Sequence, residues 1–316
     1  MNNANFYTPI LLIAWRRPKE IKEVIDSLKV IRPKRLFISC DGARDNNVEE
    51  FEKVKKTQEV LLKTINWDCK IEWQISDVNL GCKKGVTKAI NWFFENVQEG
   101  IILEDDVVAH YDFYKYCQDL LEKYRSDKRI WCISGSNNQN NIKRGKGTYY
   151  FGQIPLIWGW ATWKDRWENY DVSLKKWPEI KSSKMLDNIF LDDLQKNHWS
   201  DIFENFYNFG NPDTWDYPWV FACLINNGLT AIPNKNLIKN IGFNSDATHT
   251  KWEISKENEV FGIGSNLIEP EFIICDLKAE KYQFDYFFGG FSKRLKKNPL
   301  LRIKNKFRRI FKRKYK

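Results

Sequence analysis

Gly100-Ile101-Ile102-Leu103-Glu104-Asp105-Asp106 (GIILEDD) is the stretch that decides the fold. A glycine resets the chain, an apolar run of strand length follows, and three carboxylates come after it with no spacer. A short apolar run bounded by turn signals suits a strand covered on both faces. Adjacent acids are costly to hold at the edge of a core without a partner. An acid pair alone would suit a solvated turn, but the preceding IIL places this one at the rim of a sheet. In open α/β sheets, ligands bind beyond the carboxyl ends of the strands. Oxygen ligands there suit a hard divalent cation, Mg²⁺ or Mn²⁺. Such an ion would stabilise the charge developing on a departing diphosphate.

On either side the pattern alternates. Thr8 to Trp15 (TPILLIAW) is a second strand-sized apolar run, followed by Ile21, Val24, Ile25 and Leu28 at helical spacing. Arg35 to Cys40 reads as a strand stopped by Asp41-Gly42, Val48 to Leu62 as a polar helix, and Lys70 to Ser76 as another strand. After the turn Asn79-Leu80-Gly81, Val86, Ala89, Ile90, Phe93 and Phe94 trace one helix face. Beyond the acids come a helix carrying Phe113, Cys117, Leu120, Leu121 and Tyr124, then a strand from Ile130 to Ser134. Strands separated by helices in this rhythm predict an α/β fold with a mostly parallel, Rossmann-like sheet flanked by helices. From about Gly135 the rhythm gives way to Asn- and Gly-rich loops and a Trp-dense stretch. The expected organisation is a nucleotide-binding half (1–135), a second half of the same domain (136–290) and a tail (291–316).

Composition sets limits on function. With 42% hydrophobic and 15% aromatic residues in 316, the chain can bury a sizeable core. The opening MNNANFYTP has neither a basic nor an apolar leader segment, which leads us to expect a cytoplasmic protein. Of the 51 Lys and Arg, thirteen fall in 291–316, which holds no acid. The remaining 38 face 41 Asp and Glu, so the rest of the chain is mildly acidic at −3. A nucleic-acid enzyme more often carries its positive charge on a folded face, and nucleic acid is not expected as a partner. Seven scattered cysteines without a CxxC pair suit reduced, mostly buried thiols.

The segment Gly100 to Tyr124 (GIILEDDVVAHYDFYKYCQDLLEKY) together with Ile130 to Ser134 (IWCIS) resembles the GT-A glycosyltransferases. It looks most like the alpha-mannoside beta-1,2-N-acetylglucosaminyltransferase I group and its bacterial relatives. That family has an apolar strand, an EDD triplet, an Asp-Phe pair opening the next helix and a WC(I/V)S strand. The resemblance runs from Pro9 to about Gly242 and does not include the tail. It implies a GT-A fold, a UDP-sugar donor, and a metal, Mn²⁺ or Mg²⁺, held by Asp106. It further implies that Asp105 contacts the ribose and that Glu104 supports the site. Asp41 would meet the uracil edge, and Ala14 to Arg17 would line the same pocket. Arg16 or Arg17 would reach base or phosphate, with the choice left open. Asn79 and Lys83, in NLGCKKG, sit at a strand-to-helix crossing near the nucleotide.

Inverting sugar transfer needs a carboxylate to take the acceptor's proton. Asp216 in TWDYPW is the candidate, with Asp213 as the alternative; in the resembled family a Trp-Asp pair supplies base and sugar-packing ring, which gives Trp215 the second role. Here Tyr217 follows where the family has a second Asp. His249, in DATHT, is a possible late metal ligand, and Trp160 is expected to stack an acceptor sugar. In the tail, Leu300, Ile303, Phe307, Ile310 and Phe311 recur at helical spacing among cations, a pattern suited to anionic lipid on the inner face of a membrane. The expected activity is inverting, metal-dependent transfer of a sugar, N-acetylglucosamine by the resemblance, to a glycan or lipid-linked glycan of a bacterial surface polysaccharide. Two other readings compete with it. A sugar-phosphate nucleotidyltransferase shares the strand-and-acid layout, but normally has a glycine-rich loop that AWRRPKE lacks. A non-catalytic, membrane-associated sugar-binding protein would tolerate loss of the acids.

Overall fold

The computed structural model describes residues 6–242, 259–264 and 266–297. Its first half follows the apolar runs: β1 (Ile10–Ala14), α1 (Pro18–Leu28), β2 (Arg35–Cys40), α2 (Val48–Thr64), β3 (Lys70–Ile75), α3 (Gly81–Asn96) and β4 (Glu99–Glu104). β1 lies between β2 and β4, and β3 pairs with β2, all parallel. Successive strand residues point to opposite faces. Ile10, Leu12 and Ala14 of β1 therefore enter one core, while Leu11 enters another. In β4, Ile101 and Leu103 join the first and Ile102 the second. Both faces being covered is why these strands read as unbroken apolar runs.

The chain continues through β5 (Val107–Ala109), α4 (Tyr111–Tyr124), β6 (Ile130–Ser134), β7 (Tyr149–Gly152) and β8 (Trp160–Trp163). Four helices follow: α5 (Lys164–Trp167), α6 (Trp177–Ser182), α7 (Leu186–Ile189) and α8 (Asp193–Phe209). Then come α9 (Asp216–Ile225), β9 (Leu229–Pro233), β10 (Ile238–Asn240), α10 (Leu277–Tyr286) and α11 (Gly290–Lys297). The eight-stranded sheet has the order β3-β2-β1-β4-β8-β6-β9-β7. β8 runs antiparallel between β4 and β6, and β7 runs antiparallel at the edge. The other six strands point one way, so the fold is mixed α/β with the expected mostly parallel sheet flanked by helices.

One sheet thus runs through both halves. A third core around Trp177, Trp199, Phe203 and Phe221 holds α6, α8 and α9 together. Gly159, between Trp158 and Trp160, approaches the protein's own core closely. Its φ is +63°, and a Cβ there would stand 2.4 Å from Ile238 Cδ1. All seven cysteines are free, and Cys40, Cys117, Cys132 and Cys223 are buried. No helix of the described residues is long and apolar enough to cross a membrane. His249 and the 300–311 pattern lie outside the described residues.

Candidate active site

β1 and β4 are neighbours, so the chain leaving β1 meets the acids leaving β4. The Trp15 amide donates to Asp105 Oδ2 at 2.9 Å. Arg17, just before Pro18 opens α1, donates from one nitrogen to Asp105 Oδ1 at 2.8 Å and to Asp106 Oδ2 at 2.6 Å. Asp105 and Asp106 are only 5% and 8% exposed. Burial works against the charge on Arg17, but the two aspartates outweigh it and hold its pKa above the ordinary value. Asp106 is shifted the other way. Burial first, then Asp105, raises its pKa, while Arg17 pulls it back. Burial, then Asp106 and Asp105, raises the pKa of Glu104 as well. Of the two arginines, Arg17 is the one that reaches the acids of β4. Arg16 instead pairs with Glu50 at 2.6 Å, which Arg44 also grips at 2.7 Å, and both guanidiniums lie over the Trp15 ring.

A cleft of about 360 Å³ opens at the carboxyl ends of β1, β2 and β4. Ala14, Arg17, Asp41, Asn79, Glu104 and Asp105 line it, together with the first turn of α3. Trp15 lines it as well, and so do Ser39, Arg44, Gln74 and Lys88, whose side chains the sequence reading did not single out. Ser39 and Gln74 sit near the ends of β2 and β3, where the strand-end rule would have found them. Lys88 shares a helix face with Gly81 and Gly85, four and seven residues along.

Four expectations need correction. Lys83 points away from the cleft: its Nζ donates to the Gly210 carbonyl at 2.6 Å and lies over Phe206. The Asp41 carboxylate accepts from the amides of Gly42, Leu80 and Gly81 and from Asn79 Nδ2. Its lone pairs are filled, so it clasps β2 to α3 and has no capacity left for a uracil edge. Trp160 and Trp215 stack on each other at 5.5 Å and are 1% and 2% exposed. With both rings inside the core, neither offers a face to an acceptor sugar. Arg16 is likewise held away from the cleft by Glu50.

Asp216 is the first residue of α9, and its Oδ1 accepts from Thr214 Oγ1 at 2.5 Å and from the Tyr217 amide at 2.8 Å. It stands close enough to Glu104 to contribute to that residue's raised pKa. The Cys82 thiol, pushed up to about 12 by burial first, also feels Glu104, Asp216 and Asp213. Glu104 and Asp213 line the cleft, Asp213 beside Gly81. Among the described residues, no three His, Cys, Asp or Glu side chains are arranged to hold a metal by themselves. Mg²⁺ and similar ions are commonly bound by one or two carboxylates plus substrate phosphates. Asp105 and Asp106 offer oxygen donors of that kind, with Asp105 Oδ1 and Asp106 Oδ2 paired to Arg17.

Two substitutions check this geometry. A Cβ on Gly242 would stand 2.0 Å from Asp106 Oδ2. Gly242→Ala is expected to displace Asp106 and cost about 1–3 kcal/mol, read as a lower denaturation midpoint. An unchanged midpoint would mean that the contact is loose. Lys83→Ala is expected to reduce stability and leave nucleotide affinity intact, whereas Lys88→Ala does the reverse. Titration calorimetry on both variants separates them.

No protein-family model and no curated protein matches this chain. Several solved structures are similar in part. HddC from Yersinia pseudotuberculosis is 12% identical over 52% of this chain and 80% of its own, with a TM-score of 0.32. A UDP-glucose pyrophosphorylase complexed with UDP-glucose is 9% identical over 52% and 78%, with a TM-score of 0.31. Mouse xyloside xylosyltransferase 1, in its apo form, is 9% identical over 69% of this chain and 81% of its own, with a TM-score of 0.36. At these scores the similarity carries no argument about activity, which has to come from the residues themselves.

Proposed function

We propose that the protein is an inverting, metal-dependent glycosyltransferase. It moves a sugar from a UDP-sugar, N-acetylglucosamine by the sequence resemblance, to a glycan or lipid-linked glycan at the inner face of a membrane. One observation carries the proposal: Glu104 and Asp105 at the end of β4 line a cleft at the carboxyl ends of parallel strands, with Asp106 sharing Arg17 with Asp105 and Asp216 of α9 within electrostatic reach of Glu104. The nucleotide occupies the cleft between the β1–α1 loop and the first turn of α3. Backbone amides at a helix start favour anionic groups. Arg17 and Lys88 supply positive charge for the diphosphate. Asp106 is the residue that would hold Mn²⁺ or Mg²⁺, an ion that offsets charge on the departing diphosphate. Asp216 accepts the proton of the acceptor hydroxyl as that oxygen attacks the anomeric carbon.

The test is release of UDP from UDP-N-acetylglucosamine and other UDP-sugars in the presence of Mn²⁺. Slow release that Asp106→Ala abolishes is the expected result. Release of pyrophosphate from UTP and a sugar phosphate would point to nucleotidyl transfer. No turnover of any donor would leave a binding protein.

A further inference from the structure

The α10–α11 corner bears a line of aromatic rings, exposed at Tyr286 and half-buried at Tyr282 and Phe291, on the helices that lead into the basic tail. Tyr282 and Tyr286 on α10 have ring centroids 4.4 Å apart, and Tyr286 stacks on Phe291 of α11 at 5.8 Å with the rings 14° from parallel. Tyr286 is 54% exposed, and Leu277 at the start of α10 is 51% exposed. Lys278, Lys281, Lys296 and Lys297 are exposed on the same two helices. Beyond Lys297 the sequence adds nine more Lys and Arg and no acid.

This corner is fixed to the body. Arg294 bonds Asp285 at 2.6 Å and also pairs with Asp192, which caps α8. Lys293 meets His198 Nδ1 at 2.8 Å. On its inner side, Phe287 packs on Trp158 and Phe288 on Trp199 at 5.3 Å. Trp199 in turn packs on Tyr217, the neighbour of Asp216, at 6.3 Å. The root of the cationic tail is thereby held to the same packed unit as the proposed base.

We infer that the α10–α11 corner is a docking face for an anionic lipid bilayer, and that it holds the Asp216 side of the cleft next to that surface. An exposed tyrosine beside lysines suits the boundary between headgroups and acyl chains, where a ring buries its body and keeps its hydroxyl wet. Each cation near such a surface contributes about 1 kcal/mol. The four exposed lysines supplement the tail, and the aromatic line gives the contact an orientation that charge alone lacks. The second clause of the inference rests on the glycosyltransferase reading, and it narrows the acceptor to a glycan anchored in lipid.

The experiment is co-sedimentation of the full chain with phosphatidylcholine vesicles, with and without phosphatidylglycerol, alongside thermal shift with UDP and Mn²⁺. Binding only to the anionic vesicles is expected, weakened by salt. The double variant Leu277→Ser/Tyr286→Ser should lose about tenfold in vesicle affinity while its response to UDP stays unchanged. No binding to anionic vesicles, or a double variant that binds as well as the parent, overturns the docking face. Binding through the face without any response to UDP would support the docking face and count against the enzyme.

Discussion

Asp216→Asn should abolish transfer while leaving donor binding nearly intact. An amide keeps the size of the side chain and can still accept from Thr214 and the Tyr217 amide, so α9 should begin as before. It cannot take a proton from the acceptor hydroxyl. Losing a positioned general base typically reduces kcat by about 10²–10⁴. The donor KM should move little, because Asp216 is not among the residues lining the nucleotide cleft. Asp213→Asn is the control: Asp213 borders the cleft beside Gly81, so its loss should appear in nucleotide affinity. If Asp213→Asn abolished turnover and Asp216→Asn did not, the two roles would be exchanged.

The second large effect belongs to Arg17. Arg17→Ala would leave Asp105 and Asp106 buried without their shared cation. Removing one partner of a buried ion pair costs about 3–5 kcal/mol. The pH dependence has a definite sign. Burial and Asp105 already hold the folded-state pKa of Asp106 above its ordinary value, and removing the guanidinium that pulls it back raises it further, so the folded variant binds more protons. Its stability should therefore fall as pH rises through that raised pKa, and its deficit relative to the parent should shrink in acid. UDP with Mn²⁺ should stabilise the variant more than it stabilises the parent, because the ion restores positive charge at the vacated position. Equal melting points for variant and parent from acid to alkaline pH would show that Arg17 is not the counter-ion.

Much of this arrangement was legible in the sequence because it is local. β1, β2, β4 and β6 appear as apolar runs because helices cover both faces of their sheet. The acids could be placed at the rim because they follow β4 without a break. What escaped is long-range. β8 is a short stretch of WATW that inserts antiparallel between β4 and β6, a pairing no local pattern encodes. Its tryptophans invited a sugar-binding reading, yet Trp160 packs against Trp167, Trp215 and Trp219 to close the second core. The choice between Arg16 and Arg17 depends on where α1 starts and which way each side chain leaves the loop. Lys83 and Lys88 could have been told apart by helical phase, since 81, 85 and 88 share a face that 83 does not. Asp41 lines the cleft, but its role as a clasp depends on amides nearly forty residues away.

Calorimetric titration of UDP into the parent and into Asp106→Asn, each with and without Mn²⁺, reaches the central claim most directly. The account predicts that Mn²⁺ tightens UDP binding to the parent by about tenfold or more, a coupling of at least about 1.4 kcal/mol, and leaves Asp106→Asn unaffected. Equal UDP affinity in all four titrations, or no UDP binding to the parent, would contradict it.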